Sequence, residues 1–423
     1  MVDIEYVRQH PEEMRQNLLD RGMDPSLLDK VLKLDSQRRL LLQQVEELRR
    51  RRNQSSPDQA EEGRKIKKEL KEIEPQLKET EERYRDAIYK LPNFTASDVP
   101  VGKDESENVV IRTWGEPKKF SFSPKDHVEL GEILGVINTK KAAEVSGPRF
   151  GYLKGGAALL EFALIQYAMK ILTSDSILKG YNPKPFIPVI PPQMIKPEVF
   201  VKMARLSPET EEERYYLPKD DVYLIGSAEH TLGALHMDET ISEKDLPIRY
   251  VGFSTSFRRE AGSYGQDTKG ILRVHQFDKI EMESFTLPED SLKEQEFFVA
   301  LQEHFMQGLD LPYQVVQICT GDLGLPDYRQ IDINCWLPGQ GKYRETHTSD
   351  LMTDYQARRL NTKVKRKNGQ TEYVHMNDAT AFAIGRTVIA ILENYQLEDG
   401  SVKIPAVLQP YVGKDVISPP KAE

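Results

Sequence analysis

The chain has 423 residues, of which 39% are hydrophobic, and carries 58 Lys+Arg against 67 Asp+Glu for a net charge of −9. That length exceeds one ordinary core and suits two or three domains. No run of eighteen apolar residues occurs, and Asp3 and Glu5 stand where a secretory leader is basic, so neither a membrane span nor a signal peptide is expected and a cytoplasmic location follows by default. The two cysteines, Cys319 and Cys335, have no C-x-x-C partner and fall in apolar, strand-like segments; they read as reduced core residues, and no zinc is expected.

Near the N-terminus, Val31, Leu34, Leu41, Val45 and Leu48 keep three-, four- and seven-residue steps, the apolar face of a helix roughly 35 Å long. Asn53 to Asp58, with Ser55, Ser56 and Pro57, break the pattern. Ile66, Leu70, Ile73, Leu77, Tyr84, Ile88 and Leu91 then resume it, so residues 30–91 predict an antiparallel coiled-coil arm. Pro75 lies within the second helix and should kink it. A negative total argues against a nucleic-acid partner, yet residues 30–91 hold 17 Lys+Arg against 13 Asp+Glu, a basic arm on an acidic body. By charge alone this is a solvated helical surface, and by pattern alone a scaffold or dimerising element. The run Arg49, Arg50, Arg51 and Arg52 at the tip instead fits docking on folded RNA through phosphate and shape.

Residues 1–100 read as the helical domain bearing this arm, 101–117 as a linker, 118–412 as the second domain, and 413–423 as a disordered tail. In the second domain, helical stretches at Ala157 to Leu172 and Ala379 to Leu392 mix with strands at Ile248 to Phe253, Ser256 to Arg259, Phe277 to Phe285 and Ile331 to Leu337. Strands joined by hairpin-like loops predict an antiparallel sheet with helices packed on it, an α+β fold.

The segment Phe257 to Glu260, then Ala261 to Gly270, then Ile271 to Glu281 has the form strand, Gly-rich loop, strand. On such a ribbon Arg258 and Glu260 share a face, and Arg273, Phe277 and Glu281 share a parity. Arginine for phosphates, an aromatic for a base and an acid for an amine make a nucleotide-binding set. Singly, such residues are more often surface ion pairs.

The stretch F-R-R-E-A-G-S-Y-G-Q-D-T-K-G-I-L-R-V-H-Q-F-D-K-I-E closely resembles motif 2 of bacterial-type seryl-tRNA synthetases, members of the class II aminoacyl-tRNA synthetases. The resemblance continues in P-G-Q-G-K-Y-R-E, D-Y-Q-A-R-R-L-N, G-R-T-V-I-A-I-L-E-N-Y-Q, V-P-V-G-K-D-E-S-E-N-V and the arm, covering nearly the whole chain. It implies an antiparallel sheet of six or seven strands, a homodimer formed near Val189 to Pro192, and serine activation with ATP followed by transfer to tRNA(Ser), with tRNA(Sec) as a further candidate partner. The arm would reach across the dimer to the RNA, and the Ala261 to Gly270 loop would approach its acceptor end.

The resemblance also implies roles. Arg258 would hold the α-phosphate and the amino-acid carboxylate, Glu260, Val274 and Phe277 would meet the adenosine, and Arg273 would clamp the triphosphate. Arg386 would cover the adenine and reach the γ-phosphate, while Glu345 and Thr348 would ligate Mg2+. Glu281 and Thr380 would face the serine ammonium and hydroxyl, with Ser227 and Glu229 beside them.

This chain departs from the family pattern in places. Motif 3 reads Glu345-Thr346-His347-Thr348-Ser349-Asp350-Leu351 where Glu-Ile-Ser-Ser-Cys-Ser-Asn is usual, Ser227 replaces a threonine, Asp378-Ala379 replaces Asn-Gly, and Asn334 replaces a glutamate. His347 offers a ligand or an acid, but a lone histidine without clustered partners is more often a packing or hydrogen-bonding residue, and that reading is preferred. Two alternatives differ in class. An amino-acid ligase with a non-RNA acceptor would be expected to lose the arm, and a non-catalytic RNA-binding paralogue to lose Arg258, Glu281, Glu345 or Arg386; this chain keeps all of them.

Overall fold

The structure is a computed structural model and describes residues 1–54, 60–174, 184–208, 210–261 and 269–420. The expected turn at Ser55, Ser56 and Pro57 and most of the Ala261 to Gly270 loop lie outside the described residues.

Two short helices, α1 (Ile4–Gln9) and α2 (Pro11–Asp20), precede the arm helices α3 (Ser26–Gln54) and α4 (Ala60–Ile88). Asp3 caps α1 by accepting from the Glu5 amide, and Pro11 occupies the first turn of α2, where its missing N–H leaves no bond unmade. Val45, Ile66, Leu70 and Leu77 are buried between α3 and α4, on the seams that the periodicity marks. The α4 helix runs on through Pro75.

At the base, Val31, Leu34, Ile88 and Leu91 pack with Val7, Met14, Leu18 and Tyr355. Arg21 donates to the carbonyls of Asn93 (3.2 Å), Leu323 (3.1 Å) and Asp327 (3.2 Å). The Asn93 amide donates to those of Pro326 (2.9 Å) and Met352 (2.8 Å). Buried polar groups thus join the arm to the second domain.

That domain centres on eight strands: β1 (Val109–Trp114), β2 (Ile187–Val189), β3 (Ile248–Phe257), β4 (Gln276–Thr286), β5 (Tyr313–Gln317), β6 (Arg329–Leu337), β7 (Lys342–Thr353) and β8 (His375–Ala383). Their order is β1-β5-β6-β7-β8-β4-β3-β2. All neighbours are antiparallel except β2 and β3, which run parallel. The sheet is therefore one strand wider than the expected maximum of seven. One cause is that residues 101–117, read as a linker, supply edge strand β1.

Ile280 and Met282 of β4 are buried in one cluster with residues of α5 (Gly156–Leu172), α6 (Ser291–Gly308) and α7 (Ile384–Asn394). The alternate β4 residues Phe277 and Lys279 line a cleft. The expected helix over Ala379 to Leu392 begins only at Ile384, because Ala379 to Ala383 complete β8. A run this apolar is buried in either conformation, so its pattern does not separate the two. The two strands expected over 248–259 are one, ending at Phe257, and residues 271–275 are not in the hairpin's second strand. The C-terminal segment, expected to be disordered, is ordered to Pro420: Val416–Ile417 pair with Val402–Lys403 and Ile417 is buried.

The register shifts between Ile333 and Asn334 on β6 and between Ile280 and Glu281 on β4. A bulge frees ladder groups, and Gln302 of α6 takes two of them, donating to the carbonyls of Thr348 (2.8 Å) and Thr380 (2.9 Å). Gln302→Leu leaves both carbonyls unpaired, so unfolding stability falls by about 1–3 kcal/mol for each. The expected observation is a lower urea midpoint at unchanged m.

Candidate active site

The cleft, a cavity of about 140 Å³, is bounded by the ends of β3, β4 and β8, the start of α7 and the bulged part of β7. It brings together Arg258, Glu260, Arg273, Val274, Phe277, Glu345, Thr380 and Arg386 from the expected set. Arg258 leaves β3 with its amide donating to the His275 carbonyl (2.9 Å) and its Nε donating to the Gly226 carbonyl (3.2 Å). Its guanidinium lies 5.3 Å from the Phe277 ring centroid, a cation–π arrangement. Glu260 adopts φ +52°, rare for a residue with a Cβ, and its carboxylate pairs with Arg273 at 3.1 Å. Arg386, in the first turn of α7, donates to the Glu345 carbonyl (2.9 Å) and pairs with its carboxylate (3.1 Å). Partial desolvation acts to raise the pKa of the half-exposed Glu345, but Arg386, Arg258 and Lys279 hold it below the ordinary carboxylate value.

Glu281 has no solvent exposure. Its Oε1 accepts from Ser227 Oγ (2.8 Å), more weakly from Thr380 Oγ1 (3.4 Å), and also from the Lys279 ammonium. Its Oε2 is buried with no partner among the described residues. Burial outweighs the Lys279 charge and pushes the carboxyl pKa up. A buried acceptor flanked by two hydroxyls suits a ligand carrying an ammonium or hydroxyl of its own.

Glu229 does not line the cleft. It is buried against Arg205 at 3.3 Å and His230 at 3.4 Å. Arg205 also pairs with Asp378 (3.2 Å) and Asp350 (3.5 Å), so the carboxylates at two departures from the family pattern turn into an ion-pair network. Thr348, expected beside Glu345, lies opposite Asp332 across the β6–β7 ladder, and the cleft lining itself holds Thr346. The extra residue on β7 puts Thr348 on the same face as Glu345, since their partners Asp332 and Asn334 are two apart on β6. Asn334 opposes Glu345 across the ladder and lines an adjoining cavity of about 780 Å³.

His347 is fully buried, 2.8 Å through Nδ1 from Thr346 Oγ1 and tilted against Phe382. Among the described residues no group of three or more His, Cys, Asp or Glu is placed to hold a metal. Cys319 and Cys335 are both free and buried, Cys335 on β6 and Cys319 in the loop after β5.

Sequence reasoning missed Lys279 and Arg205. Lys279 was within reach, because it shares the parity of Phe277 and Glu281 on β4. Arg205 carries no local pattern and is found only through its partners on β7 and β8.

An antiparallel sheet whose cleft carries one arginine leaving a strand and a second opening a helix, each against an aromatic or carboxylate, defines a class II aminoacyl-tRNA synthetase. In agreement, residues 213–395 match the tRNA synthetase class II core domain (G, H, P, S and T), and residues 1–95 match the seryl-tRNA synthetase N-terminal domain. A serine–tRNA ligase of Dictyoglomus turgidum is 42% identical, with both chains covered in full. The seryl-tRNA synthetase of Pyrococcus horikoshii, solved with ATP, is 39% identical with a TM-score of 0.91 and full coverage of both chains. A cytoplasmic serine–tRNA ligase of Naegleria fowleri, solved with AMP, is 31% identical with a TM-score of 0.87, covering 99% of this chain and 97% of its own. The chain belongs to the seryl-tRNA synthetase family.

His230 accepts the Gly226 amide (3.1 Å) behind Arg258, and burial lowers the pKa of both His230 and His347 to about 3. In the unfolded chain each returns to an ordinary value near 6.5. Between those values the unfolded state binds more protons, so the stability these groups contribute is present above pH ~6.5 and is lost as pH falls toward ~3. The raised carboxyls of the same core act with the opposite sign, so the histidine contribution is read by difference: between pH 7 and 5 the urea midpoint of His347→Phe is expected to rise relative to that of the wild type.

Proposed function

We propose that the cleft activates L-serine with ATP and that the enzyme then passes the seryl group to the 3′ end of tRNA(Ser). A serine carboxylate oxygen attacks the ATP α-phosphorus while the bond to pyrophosphate breaks, and a terminal RNA hydroxyl then attacks the seryl carbonyl as AMP leaves. No protein nucleophile is required, since the carboxylate is already ionised. Arg258 is the cation for the carboxylate and α-phosphate, and the Phe277 ring stacks the adenine. The observation that carries the choice of serine is the Ser227, Thr380 and Glu281 triad, which offers one buried acceptor and two hydroxyls.

For Mg2+ the donors would be Glu345 and Thr348, with Asp332 beside them. Burial and the Glu345 charge push the Asp332 carboxyl well above its ordinary pKa, so two carboxylates already crowd one place. An all-oxygen set of this kind fits a hard divalent cation, which supplies positive charge against the departing pyrophosphate.

Dimerisation is assigned to edge strand β2 and the segment after it, where Ile190 is 88% exposed. The arm is assigned to tRNA. Arg49, Arg50 and Arg51 pair with Glu74, Glu47 and Glu62 at 2.8–3.0 Å, and Arg52 is exposed. Exposed pairs of this sort contribute little, so exchanging a carboxylate for an RNA phosphate is cheap. Among the described residues no helix is long and apolar enough to cross a membrane.

In amino-acid-dependent ATP–pyrophosphate exchange across the twenty amino acids, serine alone is expected to give a signal; exchange with another amino acid and not serine refutes the reading. Thr380→Val is expected to raise the serine KM ~10-fold or more while the ATP KM stays within about twofold, as loss of one hydrogen bond to a charged group requires. Replacing Arg49 to Arg52 with alanine is expected to weaken tRNA binding and flatten its salt dependence, leaving exchange intact. A collapse of exchange would show that the arm and cleft do not divide the work this way.

A further inference from the structure

Phe277, Lys279 and Glu281 follow one another at two-residue steps along β4, each about 7 Å from the next. Phe277 sits under Arg258 at one end of the row, and Glu281 with its two hydroxyls forms the other. Lys279 therefore lies between the place for a base and the place for an amino acid, where an adenylate has its bond between carboxyl carbon, oxygen and phosphorus. Its side chain is nearly buried and lines the cleft, its ammonium rests on the Glu281 carboxylate, and Ser227 Oγ is 3.4 Å away.

An α-amino acid brings an ammonium to this carboxylate. Two ammonium groups then claim one buried acceptor, and a displaced buried cation must find another anion. The ligand supplies one in its own carboxylate, joined by the α-phosphate of ATP over the same step of the strand.

We propose that Lys279 is a catalytic residue that changes partner with the state of the site. It occupies Glu281 while the amino-acid pocket is empty, and it turns to the carboxylate and α-phosphate oxygens when the substrate ammonium takes Glu281. It acts by its positive charge, not as an acid or base, while the carboxylate oxygen bonds to phosphorus and pyrophosphate departs with the electron pair of the broken bond. Recognition of the amine and charge stabilisation at the reacting atoms become one event, because only a ligand with both groups moves the lysine and gives it somewhere to go. This rests on the assignment of Glu281 to the substrate ammonium.

The test uses the full chain with Lys279→Met, nearly the same length without the charge. Single-turnover adenylate formation is expected to slow ~100-fold, in the range seen when one charge-stabilising donor is removed. Serine, measured calorimetrically, is expected to bind as tightly as to the wild type or tighter, since its competitor for Glu281 has gone. A rate within fivefold of wild type, or serine binding weakened in step with the rate, overturns the proposal. In case the methionine perturbs the fold, Lys279→Cys alkylated with 2-bromoethylamine restores an ammonium of lysine length. It is expected to recover at least tenfold over the unalkylated protein, and absence of recovery also overturns the proposal. Glu281→Gln separates the two readings: wild-type serine affinity in that variant refutes the assignment of Glu281 and this inference together. Lost affinity there, with full rate in Lys279→Met, refutes this inference alone.

Discussion

Placing a carboxylate where water cannot reach it is unfavourable unless something else solvates it, and Glu281 sits in that position at the inner end of the cleft. One oxygen is solvated by Ser227, Thr380 and Lys279, drawn from the turn after Gly226, from β8 and from β4. Each donor is correctly placed only if the bulged pairing of β4 with β8 is maintained, and Gln302 maintains it from the helical side of the sheet. The packing of α6 and the composition of the amino-acid pocket are therefore one problem, solved by a glutamine that touches neither substrate.

The same sheet carries a second concentration of acid. Glu283 opposes Asp378, and Asp378 opposes Asp350, a row of three carboxyls across adjacent strands. Burial, together with the neighbouring acids, pushes all three well above the ordinary carboxylate range. Glu229 moves the opposite way, because Arg205 overcomes its burial. Like charges set directly opposite one another destabilise a sheet, so this row shifts its carboxyl pKa values up and two of its members cluster on Arg205. Read alone, Asp378 looks like charge added to a pocket; in the fold it pairs with Arg205 and does not line the cleft.

What could be read in advance follows the range of the interaction involved. The arm was legible because its seams are local and repeat over many turns. Phe277 and Glu281 were legible because parity is set within one strand, and Arg258 because it directly follows the paired one, whereas Arg273 lies before the strand and Arg386 came only from the resemblance. Parity counted along β7 would set Glu345 and Thr348 on opposite faces, and the bulge that brings them to one face is specified by pairing with β6, far away in the chain, so no local spacing shows it. Glu229, expected at the substrate, was claimed by Arg205 through a pairing that no spacing announces. Strand β1 escaped notice because an exposed edge strand lacks the alternation that marks a half-buried one, and β8 because its apolar run is buried on both sides.

The arm's attachment sets a tolerance at a distance. A 29-residue helix such as α3 extends roughly 43 Å, so a tilt of ~5° at its foot carries the far end ~4 Å, more than the length of a hydrogen bond. The orientation of that lever is governed by Arg21, Asn93 and Tyr355, which fix it to the carbonyls of loop 323–327 and to Met352 and Leu91. A methylene's worth of slack among three buried side chains at the pivot is thus magnified into a misalignment at the far end of the arm.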